Sequence, residues 1–182
     1  MSQPSDGSLV SRTRRGEAEA FGDLVQRYQQ SVFNVCYRMM AERRDAEDLT
    51  QETFMRAYQR LGLFDRERPF GPWIRRIAAN LCLNRINSQK PPEMPLDDER
   101  DYLFANRELN LEAKLQLTEE QASIREAILE LPPNYRVVIE LRHYQEMSYK
   151  EISIQLNIPV SDVKSHLFRG RKQLAKRMKI DD

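Results

Sequence analysis

Residues 156–174 read LNIPVSDVKSHLFRGRKQL. Leu156 closes one apolar pattern, and Asn157 and Pro159 then make a turn. Asparagine tolerates positive φ, and proline has no N–H with which to continue a helix. After the turn Ser161 is read as an N-cap, and Val163, Leu167, Leu174 and Met178 form an apolar seam at helical spacing. With Val163 and Leu167 facing a core, Lys164, Ser165, Phe168 and Arg169 face outward, and Arg171, Lys172 and Lys176 lie nearer a polyanion's phosphates. Just upstream, Ser148 and Glu151 form a capping box that opens a short helix with Tyr149, Ile152 and Leu156. A short capped helix, a tight turn and a longer basic helix make the helix-turn-helix signature. The second helix of such a pair can enter the major groove, where its early side chains reach base edges. Charge alone would describe a solvated basic helix on a bundle; box, turn, cap and seam in that order favour helix-turn-helix. His166 has no partner in the pattern and is read as a groove or surface residue.

Working outward, Thr118 with Gln121 predicts a second capping box, opening a helix with Ile124, Ile128 and Leu131 that Pro132-Pro133 ends. The next helix runs through Val138, Leu141 and Tyr144. Further upstream, residues 88–104 (SQKPPEMPLDDERDYLF) hold three prolines and five acidic residues, which reads as an extended linker. Helical periodicity between it and Thr118 is confined to Leu109–Leu117. The first part of the chain shows three helical stripes. They are Phe21, Leu24, Val25, Tyr28, Val32, Val35, Cys36 and Met39; then Leu49, Thr53, Ala57 and Leu61; then Phe70, Ile74, Ile77, Ala78 and Leu81. The connection GLFDRERPFG joins the last two, and Pro72 is expected to mark the start of the third helix. No β alternation is evident. The expected fold is all-α: two small helical domains, 1–88 and 118–182, joined by a flexible linker, 89–117.

Hydrophobic residues make up 40% and charged residues 31% of 182, a balance that fits folded helical domains and not a disordered chain. No apolar run approaches the roughly 20 residues of a membrane span, and the first ten residues lack a signal peptide's pattern, so a cytoplasmic chain without membrane insertion is expected. Cys36 and Cys82 sit within apolar stripes without CxxC spacing and are read as buried small hydrophobes. With His143 and His166 the only histidines, a His/Cys metal site has almost no material, and no GxxxxGK is present to cradle a nucleotide. No cofactor is expected. The formal net charge of +1 hides opposed patches: residues 1–88 carry 14 basic and 11 acidic groups, net +3, and residues 89–118 carry 4 and 7, net −3. Such a chain can meet a polyanion on one face and a basic surface on another.

Two stretches of the first part carry chemistry. In DAEDLTQETFMRAYQRL, residues 45–61, Asp45, Asp48, Gln51 and Glu52 share a helix face opposite Leu49. That face reads as solvated surface, as a carboxylate metal site, or as a dock for a basic partner; the metal site lacks a second acidic helix to complete it. In FGPWIRRIAANLCLNRIN, residues 70–87, Arg76, Asn80, Asn84 and Asn87 form a polar strip with Trp73 at its head and no acid anywhere. Arginine, amides and an aromatic suit phosphates and unstacked bases, although Trp73 also fits a core position.

These residues together carry a resemblance. DAEDLTQETF, then FDRERPFGPWIRRIAANLCLN, then LPPNYRVVIELRHYQEMSYKEISIQLNIPVSDVKSHLFRGRKQL resemble, in order, the bacterial RNA polymerase sigma factors of the extracytoplasmic-function (ECF) group in the sigma-70 family. The likeness runs from about Leu9 to Met178. It implies an alternative sigma factor, without catalysis of its own, that gives polymerase its promoter choice. Asp45, Asp48, Gln51 and Glu52 would dock on core polymerase, whose clamp on the largest subunit and whose flap would be the partners. Arg66, Arg68, Trp73, Arg76, Asn80 and Asn84 would recognise the −10 element as it melts, with Asn80 lining a pocket for a flipped base. Ser161, Lys164, Ser165, Phe168, Arg169, Arg171 and Lys172 would read the −35 element. The acidic linker would thread the RNA path, and an anti-sigma factor would hold the chain inactive.

The chain departs from its relatives where they often carry Gly-Thr and it has Ser161-Asp162, and where they carry Arg and it has His166. Asp162 beside DNA would repel phosphate unless it accepts from cytosine. The linker's reach is sufficient: roughly 30 residues at about 3.3 Å span up to about 100 Å, against about 58 Å for roughly 17 base pairs at about 3.4 Å each. Two other classes make different predictions. A stand-alone helix-turn-helix regulator would bind duplex tightly without polymerase and has no use for the Arg/Asn/Trp strip. A metal-dependent nuclease would lose cleavage on alanine substitution of Asp48 and Glu52.

Overall fold

Helices account for every regular element among the described residues, 3–89 and 119–178, of the computed structural model. The chain divides into two compact units, Met1–Arg85 and Ile86–Asp182.

In the first unit, α1 (Asp6–Arg14) begins at Ser5, whose hydroxyl accepts from the Ser8 N–H at 3.3 Å. α2 (Ala18–Met40) ends where Ala41 turns left-handed at φ 58°, its N–H returning to Tyr37. α3 (Arg43–Arg60) is capped by the Glu42 carboxylate, which accepts from the N–H groups of Arg44 and Asp45 at 3.2 and 3.1 Å. A 3₁₀ turn, Leu61–Leu63, then leads towards α4 (Phe70–Ser88). The second stripe, Leu49, Thr53, Ala57 and Leu61, is buried throughout, and the Thr53 hydroxyl satisfies itself on the Leu49 carbonyl at 2.7 Å. Leu9, Leu24, Val32, Val35, Met39, Phe70 and Ile74 complete a solvent-free core, in which both cysteines, Cys36 and Cys82, are buried as thiols. α4 starts at Phe70, two residues before Pro72. A helix's first turn leaves its N–H groups without intrahelical partners, so a proline third in line costs no bond and does not have to mark the start. α1 has no counterpart in the sequence expectations.

In the second unit, α5 (Glu119–Leu129) is followed by α6 (Pro133–Ile139), with Pro133 in its first turn. The segment expected to continue as one helix widens instead into a π-helical turn, Glu140–Tyr144. Gln145 closes it twice, N–H to the Glu140 carbonyl and side-chain amide to the Glu140 carboxylate, both at 3.0 Å. α7 (Tyr149–Leu156) carries the expected capping box: the Ser148 hydroxyl accepts from the Glu151 N–H at 3.3 Å, and the Glu151 carboxylate accepts from the Ser148 N–H at 2.8 Å. Asn157 turns left-handed as expected, at φ 54° and ψ 45°. α8 spans Val160–Arg177.

Two expectations fail here. Ser161 is not the N-cap. Pro159, extended at ψ 151°, offers its own carbonyl to the N–H groups of Asp162 and Val163, so the helix begins at Val160 and Ser161 falls inside its first turn. His166 is not a surface residue: it is 4% exposed, because Val163, His166, Leu167 and Gly170 recur at three- and four-residue steps along one face. Its ring packs 5.7 Å from Tyr135 of α6. Leu174 and Met178, assigned to the same seam, are half-buried. The Thr118 cap, the linker beyond Gln89 and the helix expected at Leu109–Leu117 lie outside the described residues.

Candidate nucleic-acid and partner interfaces

The acidic face of α3 sorts into two kinds of residue. Asp48 and Gln51 are exposed. Asp45 and Glu52 are half-buried and already engaged, Asp45 with Arg85 of α4 at 3.4 Å and Glu52 with Arg56 one turn on at 2.9 Å. The free part of the face therefore starts at Asp48 and Gln51. It continues into Met55, 64% exposed, and Tyr58, half-exposed, whose ring meets Phe21 edge-on at 5.0 Å. Met55 and Tyr58 were absent from the sequence candidates. Their only signal was spacing, Met55 falling two turns beyond Asp48 on the same face.

The strip along α4 forms as expected: Arg76, Asn80, Asn84 and Asn87 are all exposed. Trp73 is half-buried and belongs to an aromatic cluster, 4.8 Å from Phe64 and 5.4 Å from Phe70. It remains partly accessible one turn before Arg76. The connection before α4 is held from α1. Arg66 donates to the Ser11 hydroxyl at 3.0 Å, while Arg68 pairs at the surface with Asp65 at 3.5 Å. Arg14 donates to three backbone carbonyls, Leu61 at 2.6 and 3.1 Å, Gly62 at 3.3 Å and Phe64 at 2.5 Å. None of these long-range bonds was legible in the motif. At the base of α1, Asp6 accepts from Arg27 and from the Tyr28 hydroxyl, and burial together with that bond pushes the Tyr28 hydroxyl up to about 12. Tyr28 in turn packs 5.3 Å from Phe70, the first residue of α4.

On α8, Val163 and Leu167 are buried, and Lys164, Phe168, Arg169 and Lys172 are exposed, with Phe168 68% exposed. Ser165 is half-buried beside them. The Ser161 hydroxyl donates to the Asp162 carboxylate at 3.2 Å. Asp162 thus sits in the first turn of α8, where a carboxylate complements the helix dipole, a structural reason for an acid on this helix. Arg171 is exposed but oriented: its guanidinium lies 3.1 and 3.3 Å from His143 Nε2 on the π-helical turn. Partial burial, then Arg171 and Arg142, hold the His143 imidazole below its ordinary value, which suits a neutral ring accepting from arginine. The helix is braced against its unit by Gly170, where α8 approaches α6 closely, and at its end by an Arg177–Glu130 ion pair. Among the described residues no group of three or more His, Cys, Asp or Glu side chains is placed to hold a metal ion, and no helix is long and apolar enough to cross a membrane.

An exposed basic helix in a helix-turn-helix, and in a separate helical unit an acid-free helix with an arginine and amide strip, carry the residue types of a nucleic-acid-binding protein. Comparison with known proteins carries the assignment further. Residues 24–91 match Sigma-70 region 2, and residues 121–174 match Sigma-70, region 4. The ECF RNA polymerase sigma factor SigW of Bacillus subtilis is 37% identical over 179 residues, covering 93% of this chain and 95% of that protein. The ECF RNA polymerase sigma-E factor of Escherichia coli is 34% identical over 179 residues, covering 94% and 93%. Among solved structures, CnrH in complex with the cytosolic domain of CnrY aligns over 97% of this chain and 99% of that one, with a TM-score of 0.58 and 25% identity. The chain belongs to the ECF group of the sigma-70 family, and it is an alternative RNA polymerase sigma factor.

Proposed function

We propose that the first unit docks on core RNA polymerase and captures the melting −10 element, and that the second binds the −35 element. Asp48 and Gln51, with Met55 and Tyr58, make the docking face on the clamp of the largest subunit, and Asp45 and Glu52 shape that face from their internal pairs. Trp73, Arg76, Asn80 and Asn84 receive unpaired bases, with Arg66 and Arg68 near the phosphates. Lys164, Ser165, Phe168 and Arg169 reach base edges, with Ser161 at the start of the helix. Arg171 and Lys172 contact phosphates, and the second unit also meets the polymerase flap. The domain boundaries are those of the expected division, with 89–117 as the tether along the RNA path. The chain performs no catalysis itself and acts in the cytoplasm. A proteinaceous inhibitor, an anti-sigma factor, covers these surfaces until a signal releases them; the similar structure of CnrH is likewise in complex with a second protein, the cytosolic domain of CnrY.

The observation that carries this reading is the acid-free α4, which exposes Arg76, Asn80 and Asn84 at helical spacing, the residue types that hold phosphates and unstacked bases. Asn80→Ala tests it. The substitution is expected to weaken promoter opening, followed by permanganate reactivity of unpaired thymines, while core binding stays intact. Equal loss of both would overturn the assignment of Asn80.

A further inference from the structure

The connection between α3 and α4 exposes a leucine it has no structural use for. Leu61 and Phe64 are buried at 3% and 4% exposure, yet Leu63 between them is 86% exposed, the most exposed large apolar side chain among the described residues. A single exposed leucine is ordinary on a mobile loop. This backbone, however, is fixed from three directions. The Arg14 guanidinium, from a helix nearly fifty residues earlier, bonds the carbonyls of Leu61, Gly62 and Phe64. The Phe64 N–H closes the 3₁₀ turn on Leu61 at 3.2 Å. The Phe64 ring is wedged against Trp73 and Phe70 at 4.8 and 5.5 Å. Leu63 is therefore an apolar side chain held in water on a rigid turn, one residue from the ring that abuts the head of the Arg76/Asn80 strip.

An aliphatic side chain cannot read a base edge, because it has no donor or acceptor. It can cover a base face, and proteins that unstack nucleic acid insert apolar wedges of this kind. We propose that Leu63 is a wedge that covers the stacking face of the base pair bordering the opened promoter segment, and that Arg14 is the positioning residue that holds it there. The inference rests on the −10 role assigned above to α4. Leu63 lowers the cost of the first unstacked step by replacing a lost base–base contact with an apolar one. Only an arginine serves at position 14, since its planar fork supplies several N–H donors at fixed angles, where a lysine ammonium offers a single point.

The test uses core polymerase with the full chain, on a duplex template that the wild-type chain opens and on the same template with the −10 segment already unpaired. Opening is followed by 2-aminopurine fluorescence at the boundary. Leu63→Ala is expected to slow opening of the duplex roughly tenfold, the change that loss of part of one leucine's apolar contact corresponds to. On the pre-melted template it should initiate within about twofold of wild type, because there the first unstacked step is already complete. Leu63→Phe is expected to keep the wild-type rate. Arg14→Ala should repeat the Leu63→Ala pattern, and Arg14→Lys should fail to rescue it. Duplex opening at the wild-type rate by Leu63→Ala, or equal loss on both templates, overturns the proposal. Leu63 contributes nothing to the core, so its variants fold regardless of whether Arg14→Ala does. Should the wild-type chain open neither template with core, the −10 reading itself fails; should it open both while Leu63→Ala matches it, only the wedge fails.

Discussion

Replacing Gly170 with alanine sets two opposed effects against each other on α8. In an unobstructed helix the change stabilises by about 0.8–1.0 kcal/mol, because alanine loses less backbone freedom on folding. Here the added Cβ would lie 3.0 Å from Ile139 Cδ1 and 3.3 Å from Tyr135 Cβ, both on α6. The Ile139 methyl ends a flexible side chain and can turn away. The Tyr135 Cβ is fixed to its backbone and cannot, so α8 has to shift or the contact stays compressed. Overpacking of this kind costs about 1–3 kcal/mol. Taking the middle of that range, Gly170→Ala destabilises the second unit by about 1 kcal/mol net, which for a domain of this size lowers its Tm by roughly 4–8 °C. Gly170→Val, with two further methyls aimed at the same wall, costs more. A double-mutant cycle isolates the contact. Ile139→Val alone removes the nearest methyl and costs about 0.5–1.5 kcal/mol. In the Gly170→Ala background it should cost less, by a coupling of about 0.5 kcal/mol, because the methyl that otherwise has to turn away is gone. The assay is thermal unfolding of the full chain by circular dichroism, the second unit's transition being the one that Leu167→Ala displaces. If Gly170→Ala raises that transition by the full propensity gain, or if the two changes add, the close approach of α8 to α6 is refuted. Because Arg169 and Arg171 flank Gly170, −35 affinity should fall along with stability.

Three further outcomes follow from the site geometry. Asp48→Arg should weaken association with core polymerase tenfold or more, on the order of a like-charge contact at an interface. Asp45→Ala and Glu52→Ala should do less, since both carboxylates are already paired within the unit; a fluorescence titration of labelled core ranks them. Arg169→Ala should cost about 1–3 kcal/mol and relax the preference at one base pair of the −35 element, whereas Lys172→Ala should weaken all sequences alike and reduce the salt slope by about one, both read from binding to base-substituted promoters at several salt concentrations. His143 gives a pH dependence. Its folded-state value lies below the ordinary 6.5, so as pH falls the unfolded chain takes up this proton first. The associated stability is intact above about pH 6.5 and declines as pH drops below it. His143→Gln should flatten that part of the second unit's stability curve between pH 7 and 5, and an unchanged curve would remove His143 from the account.

What could be read from the chain by eye was whatever depends on local spacing. Ser148 and Glu151 find each other three residues apart, Asn157 needs only its own tolerance of positive φ, and Leu49, Thr53, Ala57 and Leu61 bury one face because a helix repeats. What escaped depends on partners remote in the chain. α1 has a short apolar stretch, Leu9 and Val10, among serines and arginines, and it is fixed by Asp6 with Arg27 and Tyr28 and by Arg14 with Leu61–Phe64. Ser161 looked like a cap because of its chemistry, but the geometry of Pro159 had already started the helix. His166 looked solvated because it is polar, although its register with Val163 and Gly170 placed it inside. The candidate site divides the same way. That α4 carries an acid-free strip was legible, whereas the division of the α3 face into free Asp48 and engaged Asp45 depends on Arg85, forty residues on.

The central claim is that this chain selects where polymerase starts. Run-off transcription with purified chain and core polymerase on a promoter library measures it directly. The account predicts that adding the chain enriches a small set of templates sharing two conserved blocks, and that the chain without core protects none of them. Specific protection of duplex by the chain alone, or an unchanged template distribution after it is added to core, would contradict the account.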